Sequence, residues 1–236
     1  MRGAARGAVA AVTSPDAGPI EAIVFDLDGV LIEGEEVWDL VRQELVRERG
    51  GRWSADAQAA MMGMSSPEWS RFMADVLGLP MTPAAISQET VARVIARYGR
   101  AMPLVDGAVE VVERLARRWP LGLASSANRP VIDFVLDRSG MAGCFRTTVS
   151  SEEVARGKPA PDVYLEAAAR LGVAPERCAA VEDSGNGLRA AIAARMRVVA
   201  VPNRRFPPAP ETVEAADLVV HGLRDLTVET FERLRA

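Results

Sequence analysis

Glu21-Ala22-Ile23-Val24-Phe25-Asp26-Leu27-Asp28-Gly29-Val30-Leu31 is a short apolar run that opens abruptly into two acids and a glycine. A run of this length bounded by a turn signal predicts a buried strand ending in an acidic loop. Asp26 and Asp28 stand two residues apart, so at a strand end their side chains emerge on one side and both carboxylates can face a single ligand. In open α/β sheets ligands bind beyond the carboxyl ends of the strands. The plainer alternative is a solvated acidic turn capped by Gly29. An EF-hand loop fits less well, because its third acidic ligand and the Glu at its twelfth position are missing.

Outward from that strand the chain changes character twice. From about Glu35 to Arg100 apolar residues recur at helical spacing, punctuated by Gly50-Gly51, Ser65-Ser66-Pro67 and Leu79-Pro80, which predicts a wholly helical segment. After Pro103 amphipathic helices alternate with short apolar runs at Leu121–Ala124, Phe145–Val149, Cys178–Val181, Val198–Val201 and Leu218–Val220. That is the β-α-β rhythm of a parallel sheet. The expected organisation is an α/β core over residues 20–34 and 102–236, an inserted helical cap over 35–101, and a disordered N-terminal arm over 1–19. Glu33-Gly34 and Ala101-Met102-Pro103 are the expected hinge between cap and core, and Pro202–Pro210 reads as a surface loop.

The 236 residues are 49% hydrophobic and 25% charged, the mixture of a globular protein with a sizeable core. A formal net charge of -4 offers no basic footprint for a nucleic-acid backbone. Cys144 and Cys178 have no metal-ligand spacing and read as small buried apolar residues in a reducing compartment. The longest apolar stretch of the arm, Ala8 to Val12, is too short for a signal peptide, and Arg, Glu or Pro interrupts every later run before it reaches a membrane span. A cytoplasmic protein with no nucleic-acid or membrane partner is expected, as a monomer or weak homodimer.

Three further places carry candidate chemistry. Val181-Glu182-Asp183-Ser184-Gly185-Asn186-Gly187 is a second apolar run ending in acids, and Asp183 or Ser184 can also simply cap the following helix. Two acidic strand ends together give a hard cation oxygen ligands from two sides, which suits Mg²⁺. Lys158, in Gly157-Lys158-Pro159, is the sole lysine of a chain whose other basic side chains are arginines, and a compact charge on a flexible stem can reach a phosphoryl oxygen. Leu121-Gly122-Leu123-Ala124-Ser125-Ser126-Ala127-Asn128 ends a strand in hydroxyls ahead of a helix, where Ser125 and backbone N–H groups can meet an anion or form a plain turn.

In order, D-x-D-G after the first strand, Ser at a later strand end, G-K-P, and E-D-S-x-x-G resemble the four motifs of the haloacid dehalogenase superfamily, over residues 20–225. The position of the helical insertion is similar to the branch that includes β-phosphoglucomutase and phosphoglycolate phosphatase. The resemblance implies a Rossmann-like core with a small helical cap, and a Mg²⁺-dependent phosphatase acting on a small phosphorylated metabolite. It also implies Asp26 as nucleophile, Asp28 as general acid and base, and Ser125 and Lys158 gripping the phosphoryl group. Mg²⁺ would lie between Asp26, the Asp28 carbonyl and Asp183, with Glu182 orienting a bound water.

Some positions depart from that pattern. Trp38 stands where the phosphoglucomutase branch carries a histidine, the polar pair after D-G-V-L reads Glu33-Gly34, and Arg195 replaces the glycine expected after Ala193-Ala194. A phosphomutase and a non-catalytic phosphometabolite-binding protein are the alternatives. A phosphonatase is excluded, since residues 35–101 contain no lysine to form its Schiff base. Substrate contacts are expected from Ser126, Asn128, Trp38 and the loop Gly63-Met64-Ser65. The stripe of Met61, Met62, Met64, Trp69, Phe72 and Met73 reads as core, and Arg93, Arg97 and Arg100 read as a solvated helix face.

Overall fold

The computed structural model describes residues 18–61, 64–203 and 207–234. Among them, strands β1 (Ala22–Phe25), β2 (Leu121–Ser125), β3 (Phe145–Ser150), β4 (Cys178–Glu182), β5 (Arg197–Ala200) and β6 (Leu218–Val219) form one parallel sheet in the order β3-β2-β1-β4-β5-β6. All six runs read from the sequence are strands, and the central ones are apolar throughout because a parallel strand buried on both faces must be apolar at nearly every position. The β1, β2 and β4 residues are all buried.

Alternation along the strands divides the core in two. Ile23, Phe25, Leu121, Leu123, Ala179 and Val181 face one layer, while Ala22, Val24, Ala124, Cys178, Ala180 and Val198 face the other. The first layer is closed by α5 (Ala108–Ala116) and α6 (Arg129–Ser139). The second is closed by α7 (Asp162–Leu171) and α8 (Gly185–Ala193). Small residues on the second face let helices approach the sheet closely: a Cβ at Gly122 would lie 3.0 Å from Leu171 Cδ1 of α7.

Between β1 and α5 the described chain is chiefly helical, in α1 (Glu35–Glu48), α2 (Ala57–Met61), α3 (Ser66–Asp75) and α4 (Pro83–Arg100). Thr82 caps α4 by accepting from the Ala85 N–H at 3.3 Å, with Pro83 at its first position. Their buried side chains, such as Trp38, Leu45, Met73 and Tyr98, continue the apolar cluster of the first sheet layer. The two chain crossings at the ends of this segment run side by side, with the Glu33 N–H donating to the Pro103 carbonyl at 2.8 Å and Ile32 bridging Leu104.

β1 lies between β2 and β4, with Phe25 opposite both Leu123 and Val181. The chain runs outward from β1 through β2 to β3, then returns to β4 on the other side of β1. The strand order therefore reverses at β1, and the ends of β1, β2 and β4 open onto one crevice. Residues 1–17 and Arg204–Phe206 of the Pro202–Pro210 stretch lie outside the described residues; that stretch ends at α9 (Pro210–Glu214). Cys178 is buried, Cys144 is half-buried, and both are free. No described helix is long and apolar enough to cross a membrane.

Candidate active site

A cavity of about 450 Å³ opens at the ends of β1, β2 and β4 and is closed above by side chains of α1, α2 and α3. Asp26, Asp28, Ser125, Lys158 and Asp183 all line it, so four separate stretches of sequence converge on one space.

Lys158 is the centre of the charge arrangement. Its Nζ lies 2.6 Å from Asp26 Oδ1 and 2.6 Å from Glu182 Oε1, with all three side chains buried. Burial alone would lower the Lys158 pKa, but Asp26 and Glu182 together outweigh it and hold the ammonium charged. Glu182 is fully committed within the protein. Its Oε1 also accepts from the Tyr164 hydroxyl at 2.9 Å, and its Oε2 accepts from the backbone N–H groups of Asp183 and Ser184. A Cβ at Gly187 would lie 1.7 Å from Glu182 Oε1, so that helix position must be glycine. Ser184 caps α8 by accepting from the Gly187 N–H at 3.1 Å, which realises the simple capping reading beside the acidic one.

Too many acids face this single lysine. Burial, with the neighbouring Glu182 charge, pushes the Asp26 pKa up to about 7 despite Lys158, and burial followed by the Asp26 and Glu35 charges pushes Asp28 up to about 8. Asp183 is likewise raised by burial and by Glu182 and Asp26. Ligand atoms of Asp26, Glu182 and Asp183 lie within 4.8 Å of one another. A buried, all-oxygen donor set short of positive charge fits a hard cation. With Glu182 committed to Lys158, Tyr164 and the backbone, Asp26 and Asp183 are the carboxylates left to hold it. The approach is close enough that a Cβ at Gly29, whose φ is +83°, would fall 1.8 Å from Asp183 Oδ2. Asn203 donates to that same oxygen at 3.0 Å.

The expected substrate contacts separate on inspection. Trp38, Met64, Ser126 and Asn128 line the cavity. Ser65 does not: its hydroxyl and N–H both donate to Glu68 Oε2, at 2.6 and 2.7 Å, to start α3. Gly63 and Met62 lie outside the described residues. Asn128 Nδ2 donates to Ser87 of α4 at 3.2 Å and to Glu152 at 2.8 Å, so it ties α4 to the segments that follow β2 and β3 as well as bordering the cavity. Met61 and Trp69, read from their spacing as core, are buried and line the cavity too.

Sequence reasoning passed over Arg42, Glu35, Gln58 and Arg189, all of which line the cavity. Arg42 had a signal: it falls in the buried stripe Trp38, Val41, Arg42, Leu45 of α1, where a helix facing a core carries apolar residues. Gly34 also acquires a reason, since a Cβ there would strike the Tyr98 hydroxyl at 2.2 Å and Asp28 Oδ1 at 2.5 Å.

Known proteins of the same kind can now be set beside this geometry. The model of the haloacid dehalogenase-like hydrolases matches residues 20–195, and the chain belongs to that family. A hexitol phosphatase B of Escherichia coli is 33% identical over 227 residues, covering 89% of this chain and 96% of the relative. A probable pseudouridine-5'-phosphatase of Drosophila melanogaster is 32% identical over 217 residues, covering 88% and 92%. Among solved structures, a CbbY variant from Rhodobacter sphaeroides in complex with xylulose-1,5-bisphosphate superposes with a TM-score of 0.80 at 27% identity, over 90% of this chain and 99% of that one.

Proposed function

We propose that this enzyme is a Mg²⁺-dependent phosphoric monoester hydrolase that removes phosphate from a small phosphorylated metabolite through a phosphoryl-aspartate on Asp26. The observation that carries the reading is the Lys158 ammonium 2.6 Å from Asp26 Oδ1 in a cavity that Asp28, Ser125 and Asp183 also line. Phosphatase names among relatives about one-third identical over most of the chain support it.

Asp26 attacks phosphorus, the ester P–O bond breaks, and Asp28 gives its proton to the leaving oxygen. Water then attacks the same phosphorus, Asp28 takes its proton, and the Asp26 carboxylate and inorganic phosphate are released. A carboxyl raised to about 8 is protonated near neutrality, as the first step requires. Lys158 and the Ser125 hydroxyl meet the charge that spreads over the equatorial phosphoryl oxygens. Lys158 further reduces repulsion between Asp26 and the phosphate dianion, while Glu182 and Tyr164 fix its position. Asp26, the Asp28 carbonyl and Asp183 would hold Mg²⁺, which would supply positive charge to keep those carboxylates ionised and to offset charge on the phosphate.

Residues 35–101 act in this reading as a cap over the core formed by 20–34 and 102–236. The paired crossings at Glu33 and Pro103 are the natural hinge, and the Asn128–Ser87 hydrogen bond links cap to core. Trp38 offers no titrating nitrogen where a phosphomutase would use an imidazole, which favours transfer to water. Phosphate release from phosphorylated sugars, glycolate and nucleotides tests the proposal. Turnover that requires Mg²⁺ and is lost with EDTA supports it, and turnover unaffected by EDTA sinks it.

A further inference from the structure

Arg42 is 6% exposed, yet none of the phosphoryl-transfer steps uses it. Its guanidinium carbon lies 5.0 Å from the Trp38 ring centroid and 4.8 Å from that of Trp69, in the notch of two indoles whose centroids are 6.0 Å apart at 65°. Arg42 Nη1 donates to Gln58 Oε1 over a long 3.5 Å, and the buried Nε has no acceptor. Burial lowers its pKa to about 10, and Glu35, Asp28 and Asp39 oppose that shift, so the group stays charged. A buried guanidinium with an unmet N–H is costly, and an apolar side chain in the same notch would pack without that cost. Offsetting the charges of Glu35, Asp28 and Asp39 is one reason to keep a cation there, and the cavity that Arg42 lines is a second.

We infer that Arg42, held in the Trp38–Trp69 notch, is the specificity-determining residue that donates hydrogen bonds to hydroxyl groups on an uncharged, polyhydroxylated organic part of the phosphate ester. This rests on the phosphatase reading of the site. With their centroids only 6.0 Å apart, the two indoles lie on adjacent sides of the guanidinium, which leaves the side that lines the cavity for a ligand. The long bond to Gln58 can be joined or replaced by a substrate hydroxyl, with the amide as a second partner. Indole faces beside it suit the C–H surface of a sugar or polyol. Charge decides between a neutral body and a second anionic group. Glu35 lines the same cavity as Arg42 and its charge acts on the guanidinium, so a second phosphate or carboxylate would meet negative charge at that end of the cavity.

The test compares kcat/KM for a hexitol monophosphate, hexyl phosphate and a hexose bisphosphate, all with Mg²⁺, in the natural protein, Arg42→Met and Arg42→Lys. The natural protein is expected to prefer the hexitol monophosphate to both other esters. Arg42→Met is expected to lower kcat/KM for it roughly 10- to 100-fold, chiefly through KM, the effect of losing a charged hydrogen bond. Hexyl phosphate should change less than about 3-fold. Arg42→Lys, which keeps charge but loses the planar fork, should recover only part of the loss. Equal losses for hexitol and hexyl esters would mean a structural role and overturn the inference, as would no loss at all or a bisphosphate preference that Arg42→Met removes. Should Arg42→Met not fold, Gln58→Leu and Arg42→Lys carry the same comparison. Turnover of none of the three esters by the natural protein counts against the phosphatase reading, whereas turnover without a hydroxyl preference overturns this inference alone.

Discussion

Arg195 has φ +63°, a left-handed conformation that a side chain with a Cβ adopts at a cost of roughly 1–2 kcal/mol. It follows α8 at the position where helices commonly end on glycine, and the family pattern has glycine there. Arg195→Gly should therefore stabilise the protein, by about 0.5–1 kcal/mol once the greater freedom of an unfolded glycine is deducted. Denaturant unfolding checks this, and a loss of stability would show that the Arg195–Glu176 pair, at 3.1 Å, matters more than the backbone. Gly187 gives the opposite case. A methyl group there must displace the Glu182 carboxylate and with it Lys158, so Gly187→Ala should cost roughly 1–3 kcal/mol and most of the activity. A thermal melt together with a phosphate-release assay reads both effects. Residues of this kind were partly legible in the sequence. The acids and Lys158 announced themselves by position, while Arg42 showed only as a basic residue within an apolar stripe, because the Trp69 ring that completes its notch comes from another helix.

At the level of elements, α4 is tied to α1 by ion pairs at the surface. Arg97 meets Glu44 at 2.7 Å and Arg93 meets Glu48 at 2.6 Å, while Glu89, one turn earlier on α4 itself, also holds Arg93 at 2.6 Å. Solvent screens such pairs, so Arg97→Ala should change stability by less than about 1 kcal/mol and leave turnover as it was. A larger effect in urea unfolding would assign α4 a stronger dependence on charge than its buried face, Ile86, Val91, Val94 and Tyr98, implies. The strands were readable from the chain because parallel strands are apolar at nearly every position. The helices of the insertion were readable from their period. Which face of each helix meets the cavity was not, since α1 and α3 use one stripe both to pack on each other and to line the site: Trp38 and Trp69 are buried and exposed to the cavity at once.

For the whole molecule, the site sets a dependence of stability on pH. Asp28 is raised from 3.8 to about 8 in the folded state. Between those values the folded protein binds more protons than the unfolded chain, so this group makes stability fall as pH rises, with the full penalty present above about 8. Metal-free protein should therefore melt lower at pH 8 than at pH 5.5. In Asp28→Asn that decline should be shallower by about 2–8 °C, what 1–2 kcal/mol is worth in a chain of this length. Added Mg²⁺ should raise the melting temperature more at pH 8 than at pH 5.5, because the carboxylates it would meet are ionised there. Parallel pH profiles of natural protein and variant would contradict the burial of Asp28 as the source. The α/β core and a site beyond the ends of its strands were foreseeable from the order of the motifs, whereas the strand order that reverses at β1 was not. The coupling of one lysine to two carboxylates was not, because it depends on how closely β1, β4 and the Lys158 loop approach.

The covalent step on Asp26 is the centre of the account, and chemical trapping addresses it most directly. Protein quenched during turnover with Mg²⁺ and substrate is treated with borohydride, which reduces an acyl phosphate to the alcohol, and its peptides are then weighed. The account predicts reduction at Asp26 alone, dependent on both substrate and Mg²⁺ and absent from Asp26→Asn. Phosphate release with Asp26 unmodified, or a reduced carboxyl at any other position, would contradict it.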